Sequence, residues 1–398
     1  MKILQVVPYF HPTFTFGGSM KVVYQISKEL VKRGHNVTVY TTDVNNFNSR
    51  LETNSNEIIN GIKVHRFRNI PLKSVRKLKL FITPRLIPYV KQSIKTFDII
   101  HLHEYYTFQN IIIQHYARRY RLPFVLQVHG SLARVDPWRR LKLIYDATFG
   151  YRLLKDASKV IALSCVEADQ YRRMGVPEEK IAIVPNGIDL SEYVNLPPQG
   201  AFKRKFGIPE DKKVILYLGR IHRIKGIDLL IKAYAYLIEK VGNKDAVLVI
   251  AGPDDGYLNE AKALAYSLKV SDSVMFVGPL YGVDKLAAYV DSNLCVLPSR
   301  YETFPMVLLE VYACGKPIVA SNVGGLKELI MDDGTGLLFE AGNFKHMADK
   351  MIYLLNDSDK SVEIGRKAKM FVEERYSIDK VVDDLEDLYM EVASRSPY

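Results

Sequence analysis

Residues 294–325, LCVLPSRYETFPMVLLEVYACGKPIVASNVGG, contain in order a strand pattern, a loop, a helix pattern and a second strand pattern. The two apolar runs are Leu294–Leu297 and Pro317–Ala320, and the stretch Phe304–Cys314 between them carries one charged residue. A helix that is apolar almost all round is buried. Pro305 suits the first turn of such a helix, where its missing N–H removes no hydrogen bond. The segment therefore predicts a strand–helix–strand unit within an α/β fold.

The same alternation of short apolar runs and helical patterns occupies both halves of the chain. The runs predicted as strands are Ile3–Val7, Val37–Tyr40, Ile99–Leu102, Phe124–Val128, Val160–Leu163, Ile181–Val184, Val214–Leu218, Val247–Ile250, Val274–Val277, Leu294–Leu297, Pro317–Ala320 and Gly336–Leu338. Alternating strands and helices imply a parallel sheet that is covered on both faces. Two such series predict two doubly wound, Rossmann-like α/β domains, whose ligands bind at the carboxyl ends of the strands.

A break in the pattern divides the chain. Pro185–Asp189 ends the first series, and a polar, proline-containing stretch over 197–213 follows it. We predict an N-terminal domain over residues 1–195 and a C-terminal domain over residues 196–378, and we expect the ligand site in the cleft between them. Residues 379–398 have a helical pattern with no strand after it. Whether this last helix packs back on the N-terminal domain is left open by the sequence.

The composition fits a soluble globular protein in a reducing compartment. Of the 398 residues, 48% are hydrophobic and 25% are charged. No apolar run reaches the roughly 20 residues that span a bilayer, and the short apolar start Met1–Val7 fits a first strand better than a signal peptide. The three cysteines, Cys165, Cys295 and Cys314, are far apart. We therefore expect no disulfide or zinc site and a cytoplasmic location.

The net charge of +11 is concentrated in the first half of the chain. Residues 1–195 carry a net charge of +14 and residues 196–398 a net charge of −3. Such asymmetry predicts that the first half meets an acidic partner, for which nucleic acid, an anionic membrane surface and a phosphorylated acceptor are candidates. Nucleic acid is the weakest of the three because no nucleic-acid-binding motif accompanies the basic residues.

Two cations follow the predicted strand Val214–Leu218. The loop contains Gly219-Arg220 and, five residues further on, Lys225-Gly226. An arginine can hold a diphosphate with its planar guanidinium, and a lysine adds a point charge. Lys225 lies at a predicted helix start, where a cation opposes the helix dipole unless an anion compensates it. The loop therefore predicts a phosphate site, although a solvated loop with incidental charge would look the same.

Glu310 is the charged residue of the apolar helix Phe304–Cys314. A buried carboxylate needs hydrogen-bond donors, and the two hydroxyls of a ribose would supply them. The alternative is a structural Glu310 bonded to a nearby arginine or lysine. The helix start offers free N–H groups to phosphate or sugar oxygens, and Gly324-Gly325 lets the backbone come close to a ligand or shapes a turn.

Two places in the first half carry similar but weaker signals. His129 follows the predicted strand Phe124–Val128 and could hydrogen-bond a substrate, act in proton transfer or be a partly buried structural histidine. Gly17-Gly18-Ser19 precedes a helix, where it could approach a bound anion or form an ordinary turn and cap.

Together these residues resemble the retaining glycosyltransferases of family 4, which have the two-domain GT-B architecture. The resemblance spans nearly the whole chain, and its most specific element is Glu302 and Glu310, separated by seven residues and followed by Ala313–Ala320. The other matching positions are Gly17-Gly18, His129-Gly130, Pro185-Asn186-Gly187-Ile188-Asp189, Gly219-Arg220, Lys225-Gly226 and Pro298-Ser299.

The resemblance implies four catalytic positions. Arg220 and Lys225 would bind the diphosphate and stabilise the charge that develops as it leaves. Glu302 would lie near the donor sugar and orient or stabilise it. His129 matches the histidine that the family places near the transferred sugar.

The resemblance also implies a donor-binding set. Glu310 would bind the ribose hydroxyls of the donor nucleotide. The remaining predicted donor contacts are the backbone of Phe304, Pro305, Met306 and Val307, the base-side loop at Gly278 and Leu280, and Gly17, Gly18 and Asn186.

One departure from the family pattern is Thr303, which follows the first glutamate where the family often has glycine. The resemblance implies no cofactor and no metal. Asp357-Ser358-Asp359 matches the D-x-D metal pattern of other transferases, but it lies between two helical patterns and is interpreted as a surface turn.

The resulting hypothesis is a retaining transfer of a sugar from a nucleotide sugar to a hydroxyl of a lipid-linked or cell-surface glycan intermediate. Residues 72–95 mix basic and apolar side chains and predict contact with an anionic membrane surface, although an amphipathic helix with a solvated basic face fits them equally. The alternatives are a nucleotide-sugar epimerase on the same fold and a non-catalytic nucleotide-sugar-binding protein.

Overall fold

The computed structural model describes residues 1–13, 18–46, 48–70, 81–132, 139–241 and 245–394. The chain forms two compact units. The N-terminal unit comprises Met1–Ile188 together with Ile378–Tyr398, and the C-terminal unit comprises Asp189–Ser377.

The N-terminal unit is built on an eight-stranded sheet with the strand order β3-β4-β2-β1-β5-β6-β7-β8. Seven of the strands pair in parallel, and β3 pairs antiparallel with β4 at one edge. The strands are β1 (Lys2–Val6), β2 (Asn36–Thr42), β3 (Asn56–Ile59), β4 (Ile62–Phe67), β5 (Ile99–His103), β6 (Phe124–Gln127), β7 (Lys159–Ala162) and β8 (Ile181–Ile183).

Helices connect these strands. They are α1 (Gly18–Lys32), α2 (Leu86–Ser93), α3 (Phe108–Tyr120), α4 (Arg139–Tyr145), α5 (Tyr151–Asp156) and α6 (Cys165–Arg173), with a π turn over Asp146–Gly150 between α4 and α5. Side-chain caps set the first residue of two of these helices. Thr107 caps α3 by accepting a hydrogen bond from the Asn110 N–H, and Ser164 caps α6 by accepting one from the Glu167 N–H.

The C-terminal unit has a six-stranded sheet, in which every pairing is parallel, with the order β11-β10-β9-β12-β13-β14. The strands are β9 (Lys213–Leu218), β10 (Ala246–Ala251), β11 (Val274–Gly278), β12 (Leu294–Leu297), β13 (Ile318–Ser321) and β14 (Leu337–Phe339). The helices are α7 (Ala201–Phe206), α8 (Ile227–Val241), α9 (Leu258–Ser267), α10 (Gly282–Asp291), α11 (Met306–Ala313), α12 (Leu326–Leu329), α13 (Phe344–Asn356) and α14 (Ser358–Arg375). This is the doubly wound order of nucleotide-binding folds.

The predicted fold class is therefore confirmed, and all twelve predicted strands are present. The prediction missed the hairpin β3–β4. Asn60-Gly61 forms its turn with φ of +48° and +80°, and an Asn-Gly pair between apolar runs is the strongest local hairpin signal.

The units divide at Ile188/Asp189, seven residues before the predicted boundary at residue 195. Asp189 caps a 3-10 turn over Leu190–Tyr193. Tyr193 is 4% exposed, and its pKa is raised by burial and by the nearby Glu310 carboxylate. Residues 189–194 therefore pack with the C-terminal unit.

The last helix, α15 (Ile378–Ser394), belongs to the N-terminal unit. Its apolar face is buried, with Leu385 and Tyr389 fully inaccessible. Arg33, the residue after α1, also fixes this helix, because its guanidinium contacts Asp383 at 2.6 Å and Glu386 at 2.5 Å. A Cβ on Gly187 would lie 2.9 Å from the Ile378 Cα, so a glycine is needed where the helix starts.

Within the described residues, no helix is both long enough and apolar enough to cross a membrane.

We predict that Leu385→Ala lowers the free energy of unfolding by about 2–5 kcal/mol, because it leaves a cavity under a fully buried helix face. Met390→Ala on the same helix is the matched control, since Met390 is 54% exposed, and it should change stability by less than about 0.5 kcal/mol. Urea unfolding followed by circular dichroism measures both. Equal effects of the two substitutions would contradict the packing of α15.

Candidate active site

The strand order of the C-terminal sheet reverses between β9 and β12. In a doubly wound sheet, the loops after two such strands diverge to opposite faces and leave a crevice at the carboxyl edge. The loop after β9 carries Arg220 and Lys225, and the loop after β12 carries Ser299 and Glu302. The structure therefore brings together at one edge residues that lie about 80 positions apart in sequence.

Glycines let these loops touch. Gly226 has φ of +71°, and a Cβ there would lie 1.9 Å from the Pro298 carbonyl oxygen. On the other side, a Cβ on Gly325 would lie 1.8 Å from the Thr303 carbonyl oxygen, and the Gly325 N–H donates to the Glu302 carbonyl at 3.0 Å. These contacts fix the backbone on both sides of Glu302.

Glu302 is 9% exposed and is held by two donors. The Lys225 ammonium lies 2.6 Å from its Oε1, and the Ser299 hydroxyl donates to the same oxygen at 2.7 Å. The two predicted catalytic residues of opposite charge are thus direct partners. Such a charge-assisted contact fixes both side chains before any ligand binds.

Arg220 lies on the outer side of this cluster. Its side chain is 43% exposed, and one guanidinium N–H donates to the Asp255 carboxylate at 2.5 Å. Sequence analysis missed Asp255, although it follows β10 in a Gly-Pro-Asp-Asp-Gly loop at the same sheet edge. A neighbouring arginine, Arg300, is held in a bidentate pair with Asp228 at 2.8 and 2.7 Å.

Glu310 is 4% exposed in α11. Lys285 donates to its Oε1 at 2.7 Å, and the Tyr289 hydroxyl donates to its Oε2 at 2.8 Å. Burial and this carboxylate raise the pKa of Tyr289. The lysine partner is the structural alternative that the sequence left open, and a carboxylate can accept from more than one donor. Lys285 and Tyr289 were missed, although their i, i+4 spacing puts them on one face of α10.

The remaining predicted donor contacts of this unit lie at the same edge. Helix α11 begins after Pro305 with no side-chain cap among the described residues. Phe304 and Met306 are buried around that start, and Val307 is half-buried. On the far strand, Gly278 ends β11 with φ of +74°; Leu280, two residues on, is buried.

His129 lies just after β6 in the N-terminal unit. Its φ is +50° and that of Gly130 is +81°, so the turn is left-handed at both residues. The buried Glu167 on α6 fixes this turn, because its carboxylate accepts from the Gly130 N–H at 2.5 Å and from the Leu163 N–H at 2.7 Å. Glu167 was missed, although Ser164-x-x-Glu167 is a capping-box pattern.

The imidazole of His129 is fixed as well. Its Nε2 lies 2.9 Å from Nδ1 of His103, the last residue of β5, and the two rings stack at 5.1 Å. His103 in turn contacts Gln5 Oε1 through its Nε2 at 2.6 Å. Burial lowers the pKa of His129 to about 3. His103 and Gln5 were missed, since neither belongs to the resemblance.

Three other predicted residues of the N-terminal half are more weakly defined. Gly18 is the first residue of α1, and Gly17 lies outside the described residues. Asn186 is 4% exposed. A further polar residue that was missed, Glu104, follows β5 with φ of +63° and accepts from the Tyr9 hydroxyl at 2.8 Å.

The D-x-D pattern is a helix cap in the structure. Asp357 Oδ1 accepts from the Lys360 N–H at 2.9 Å at the start of α14, and Asp359 is exposed. Across the described parts of the chain, no group of three or more His, Cys, Asp or Glu side chains is arranged to hold a metal ion.

Two sequence families match the chain. The family of Glycosyl transferases group 1 matches residues 198–371, and Glycosyltransferase Family 4 matches residues 16–192.

Relatives match over nearly their whole length. An uncharacterized glycosyltransferase of Methanocaldococcus jannaschii is 30% identical over 98% of both chains. N-acetyl-alpha-D-glucosaminyl L-malate synthase of Bacillus anthracis is 28% identical over 94% of both. D-inositol 3-phosphate glycosyltransferase of Actinosynnema mirum is 29% identical over 84% of this chain and 83% of its own.

Solved structures share the fold at lower identity. Sucrose-phosphate synthase of Thermosynechococcus elongatus superposes with a TM-score of 0.79 at 22% identity, over 99% of this chain and 100% of its own. Anabaena HepE in complex with UDP-glucose superposes with a TM-score of 0.76 at 22% identity, over 98% of this chain and 100% of its own.

We predict a pH dependence of stability from Glu167. Burial raises the pKa of Glu167 from 4.5 to about 7. Because the folded state favours the neutral acid, its contribution to stability is complete below pH 4.5 and is lost as the pH rises through 7. Between these limits the wild-type chain should lose on the order of 3 kcal/mol relative to Glu167→Gln. Urea unfolding of both chains from pH 5 to 8 measures the difference, and parallel curves would contradict it.

Proposed function

The chain belongs to glycosyltransferase family 4, and we propose that it transfers a sugar from a nucleotide diphosphate sugar to a hydroxyl acceptor with retention of configuration. The observation that carries this proposal is the pairing of Lys225 with Glu302 at the switch point of the C-terminal sheet, beside Arg220. Cations at this edge suit a phosphate, and the buried carboxylate paired with Lys225 suits a sugar that becomes positively charged.

The donor diphosphate would share the two cations with their present partners. Arg220 uses one of its five N–H donors on Asp255, so other donors can reach phosphate oxygens. Lys225 has three donors and uses one on Glu302. Neither ion pair must break completely when the donor binds.

The nucleoside would bind beside Glu310. Its carboxylate oxygens already hold Lys285 and Tyr289, and a ribose diol would donate to the same carboxylate. The helix start at Phe304–Val307 would receive phosphate or sugar oxygens, and the loop at Gly278–Leu280 would lie by the base. The UDP-glucose in the solved HepE complex supports a uridine nucleotide as the first donor to test.

In the proposed reaction, the bond from the anomeric carbon to the diphosphate oxygen breaks while the acceptor oxygen bonds to that carbon on the same face. The leaving phosphate takes the acceptor proton. Arg220 and Lys225 neutralise the diphosphate as it leaves, and Glu302 stabilises the positive charge on the sugar. Two fixed cations supply the charge for which other transferases use a metal, so we propose that no metal or other cofactor is needed.

The acceptor would be anionic and would bind to the N-terminal unit, because that half of the chain carries the positive charge. We propose a lipid-linked glycan intermediate, whose phosphate would meet this charge, at the cytoplasmic face of a membrane. A second candidate is a small anionic acceptor, which the malate and inositol phosphate in the names of two relatives favour. Transfer assays with a panel of lipid-linked glycans and small anionic acceptors decide between the two candidates.

The structure changes one part of the membrane contact predicted for residues 72–95, namely which apolar side chains would meet the lipid. Residues 71–80, with Lys73, Arg76, Lys77 and Lys79, lie outside the described residues. In the described remainder, Arg85 and Lys91 are exposed. The apolar side chains of that remainder largely face the core of the unit, where Leu86, Val90 and Ile94 are fully buried.

An exposed apolar face lies instead on α4 and the π turn after it. Ile144 is 60% exposed and Phe149 is 46% exposed, and Arg140 and Arg152 are exposed beside them in sequence. Apolar and basic side chains together suit an anionic lipid surface. We therefore propose that α4 and its π turn supply apolar contacts and that α2 supplies charge.

We predict that Arg220→Ala and Lys225→Ala each slow transfer by roughly 10²–10³-fold, because each removes a fixed charge from the leaving diphosphate. Release of nucleoside diphosphate measures the rate. A thermal-shift screen of UDP-glucose, UDP-N-acetylglucosamine, UDP-galactose and GDP-mannose first selects the donor.

The matched control is Lys232→Ala, which removes an exposed lysine of α8 and should leave the rate unchanged. Chelation of divalent ions should also leave the rate unchanged. Full activity of both Arg220→Ala and Lys225→Ala would refute the diphosphate assignment.

We predict that Ile144→Asp/Phe149→Asp weakens co-sedimentation with vesicles containing phosphatidylglycerol by about tenfold, and that Arg85→Glu/Lys91→Glu does so in a salt-dependent way. Val362→Asp in the C-terminal unit is the control, because Val362 is 71% exposed. Co-sedimentation that does not depend on anionic lipid or on salt concentration would contradict the membrane proposal.

A further inference from the structure

The loops after β9 and β10 in the C-terminal unit are joined to each other in the register of the two strands. Within the sheet, Leu218 pairs with Ala251, and these are the last residues of β9 and β10. Three residues beyond each of them, Ile221 pairs with Asp254 in an isolated parallel bridge. The backbone around Arg220, which lies between Leu218 and Ile221, is therefore tied to the neighbouring loop.

Hydrogen bonds and a close glycine contact hold the backbone of Arg220 itself. The Gly219 N–H donates to the Ala251 carbonyl at 2.9 Å, and a Cβ on Gly252 would lie 1.7 Å from the Gly219 carbonyl oxygen. The Arg220 carbonyl accepts from the hydroxyl of the buried Tyr217 at 2.8 Å. The start of the Arg220 side chain is therefore fixed by the backbone, whereas its guanidinium needs a partner of its own.

Asp255 is that partner. One guanidinium N–H of Arg220 donates to its carboxylate at 2.5 Å, and this is the only side-chain hydrogen bond of Arg220 within the described parts of the chain. The Asp255 N–H donates to the Ile221 carbonyl at 3.1 Å, so the backbone of Asp255 belongs to the same pair of joined loops. The Arg220 side chain is 43% exposed, and an exposed arginine keeps much of its rotamer freedom unless a partner holds it.

Neither folding stability nor helix capping accounts for this ion pair. An ion pair with both side chains partly exposed contributes little to stability, because water screens it. The preceding residue, Asp254, caps α9, since its Oδ1 accepts from the N–H groups of Gly256, Tyr257 and Leu258. The Asp255 carboxylate is directed instead at Arg220, which is predicted to bind the diphosphate.

The Asp255 carboxylate has two effects of opposite sign on an anionic ligand at Arg220. Its charge repels a diphosphate, but exposure to water weakens this repulsion. Its hydrogen bond holds the guanidinium in one orientation, which removes the entropy cost of ordering that side chain when the ligand binds. The bond uses one of the five N–H donors of the guanidinium, so four remain for phosphate oxygens. We therefore expect the ordering effect to exceed the repulsion.

We propose that Asp255 is a positioning residue that holds the Arg220 guanidinium in the orientation in which it binds the diphosphate of the donor. This inference rests on the proposed function, in which Arg220 binds that diphosphate. Asp255 itself contacts neither the donor nor the reacting atoms. Its carboxylate therefore strengthens the binding of an anion, which is the reverse of what its charge alone would do.

Titration calorimetry of the full-length chain with UDP tests the sign of this effect, with GDP in its place if the thermal-shift screen selects a GDP-sugar. Asp255→Ala should weaken binding by about three- to tenfold, the cost of ordering one long side chain. Asp255→Asn should recover most of the affinity, because the amide oxygen still accepts from Arg220. Both variants keep the backbone N–H that bonds to Ile221.

The matched control is Glu260→Ala, which removes an exposed carboxylate of α9 that has no ion pair among the described residues. It should leave the affinity for UDP unchanged. Binding to Asp255→Ala that is as tight as binding to the wild-type chain, or tighter, would mean that Asp255 acts by its charge alone and would overturn the proposal.

A double-mutant cycle separates positioning of Arg220 from a general disturbance of the loop. In the Arg220→Ala background, Asp255→Ala should have no further effect on UDP binding or on kcat/KM for nucleoside diphosphate release, because no guanidinium is left to position. Equal losses from Asp255→Ala in the wild-type and Arg220→Ala backgrounds would overturn the proposal.

The same measurements distinguish failure of this inference from failure of the proposed function. UDP and GDP binding that is unchanged by Arg220→Ala, or absent from the wild-type chain, would contradict the diphosphate assignment of the proposed function. Binding that Arg220→Ala weakens and Asp255→Ala leaves unchanged would support that assignment and overturn the positioning role of Asp255.

Discussion

Close backbone contacts at glycine hold together the loops on which the chemistry of the C-terminal unit depends. The parallel strands end at one edge, but a side chain at the contact positions would collide with a carbonyl oxygen of the neighbouring loop. Gly226 meets Pro298, and Gly325 meets Thr303, at distances that a Cβ would forbid. Because Glu302 lies between these contacts, its carboxylate is placed by backbone geometry and by Lys225 together.

Charge in this unit is balanced in pairs. Each important cation already faces a carboxylate: Lys225 faces Glu302, Arg220 faces Asp255, and Lys285 faces Glu310. Burying a charge without a partner is unfavourable, so the pairs keep the ligand-free site folded and oriented. A ligand with phosphate and hydroxyl groups can accept a hydrogen bond from each cation and donate one to each carboxylate. Binding of such a ligand therefore leaves the cation–carboxylate pairs intact.

In the N-terminal unit, hydrogen bonds between neutral groups take the place of ion pairs around His129. Gln5 and His103 are buried and neutral, and a chain of hydrogen bonds joins them to His129 at the sheet edge. Helix α15 takes part in the network through Tyr389, which also contacts His101 Nδ1 at 2.6 Å. The last helix thus packs into the core of the unit and, through Tyr389, also holds the side chains of Gln5 and His101. The stability of the core and the orientation of these polar side chains therefore depend on the same helix.

The sequence by itself determined the alternation of strands and helices, the two-unit plan and the strand ends where Arg220, Glu302 and His129 lie. Hydrophobic periodicity is local, and parallel strands place their carboxyl ends on one edge whatever their order. Only the tertiary structure decided which side chains meet, such as Lys285 with Glu310 or Gln5 with His103. Those contacts join residues that are distant in the chain, and they depend on strand order and register, which no local pattern encodes.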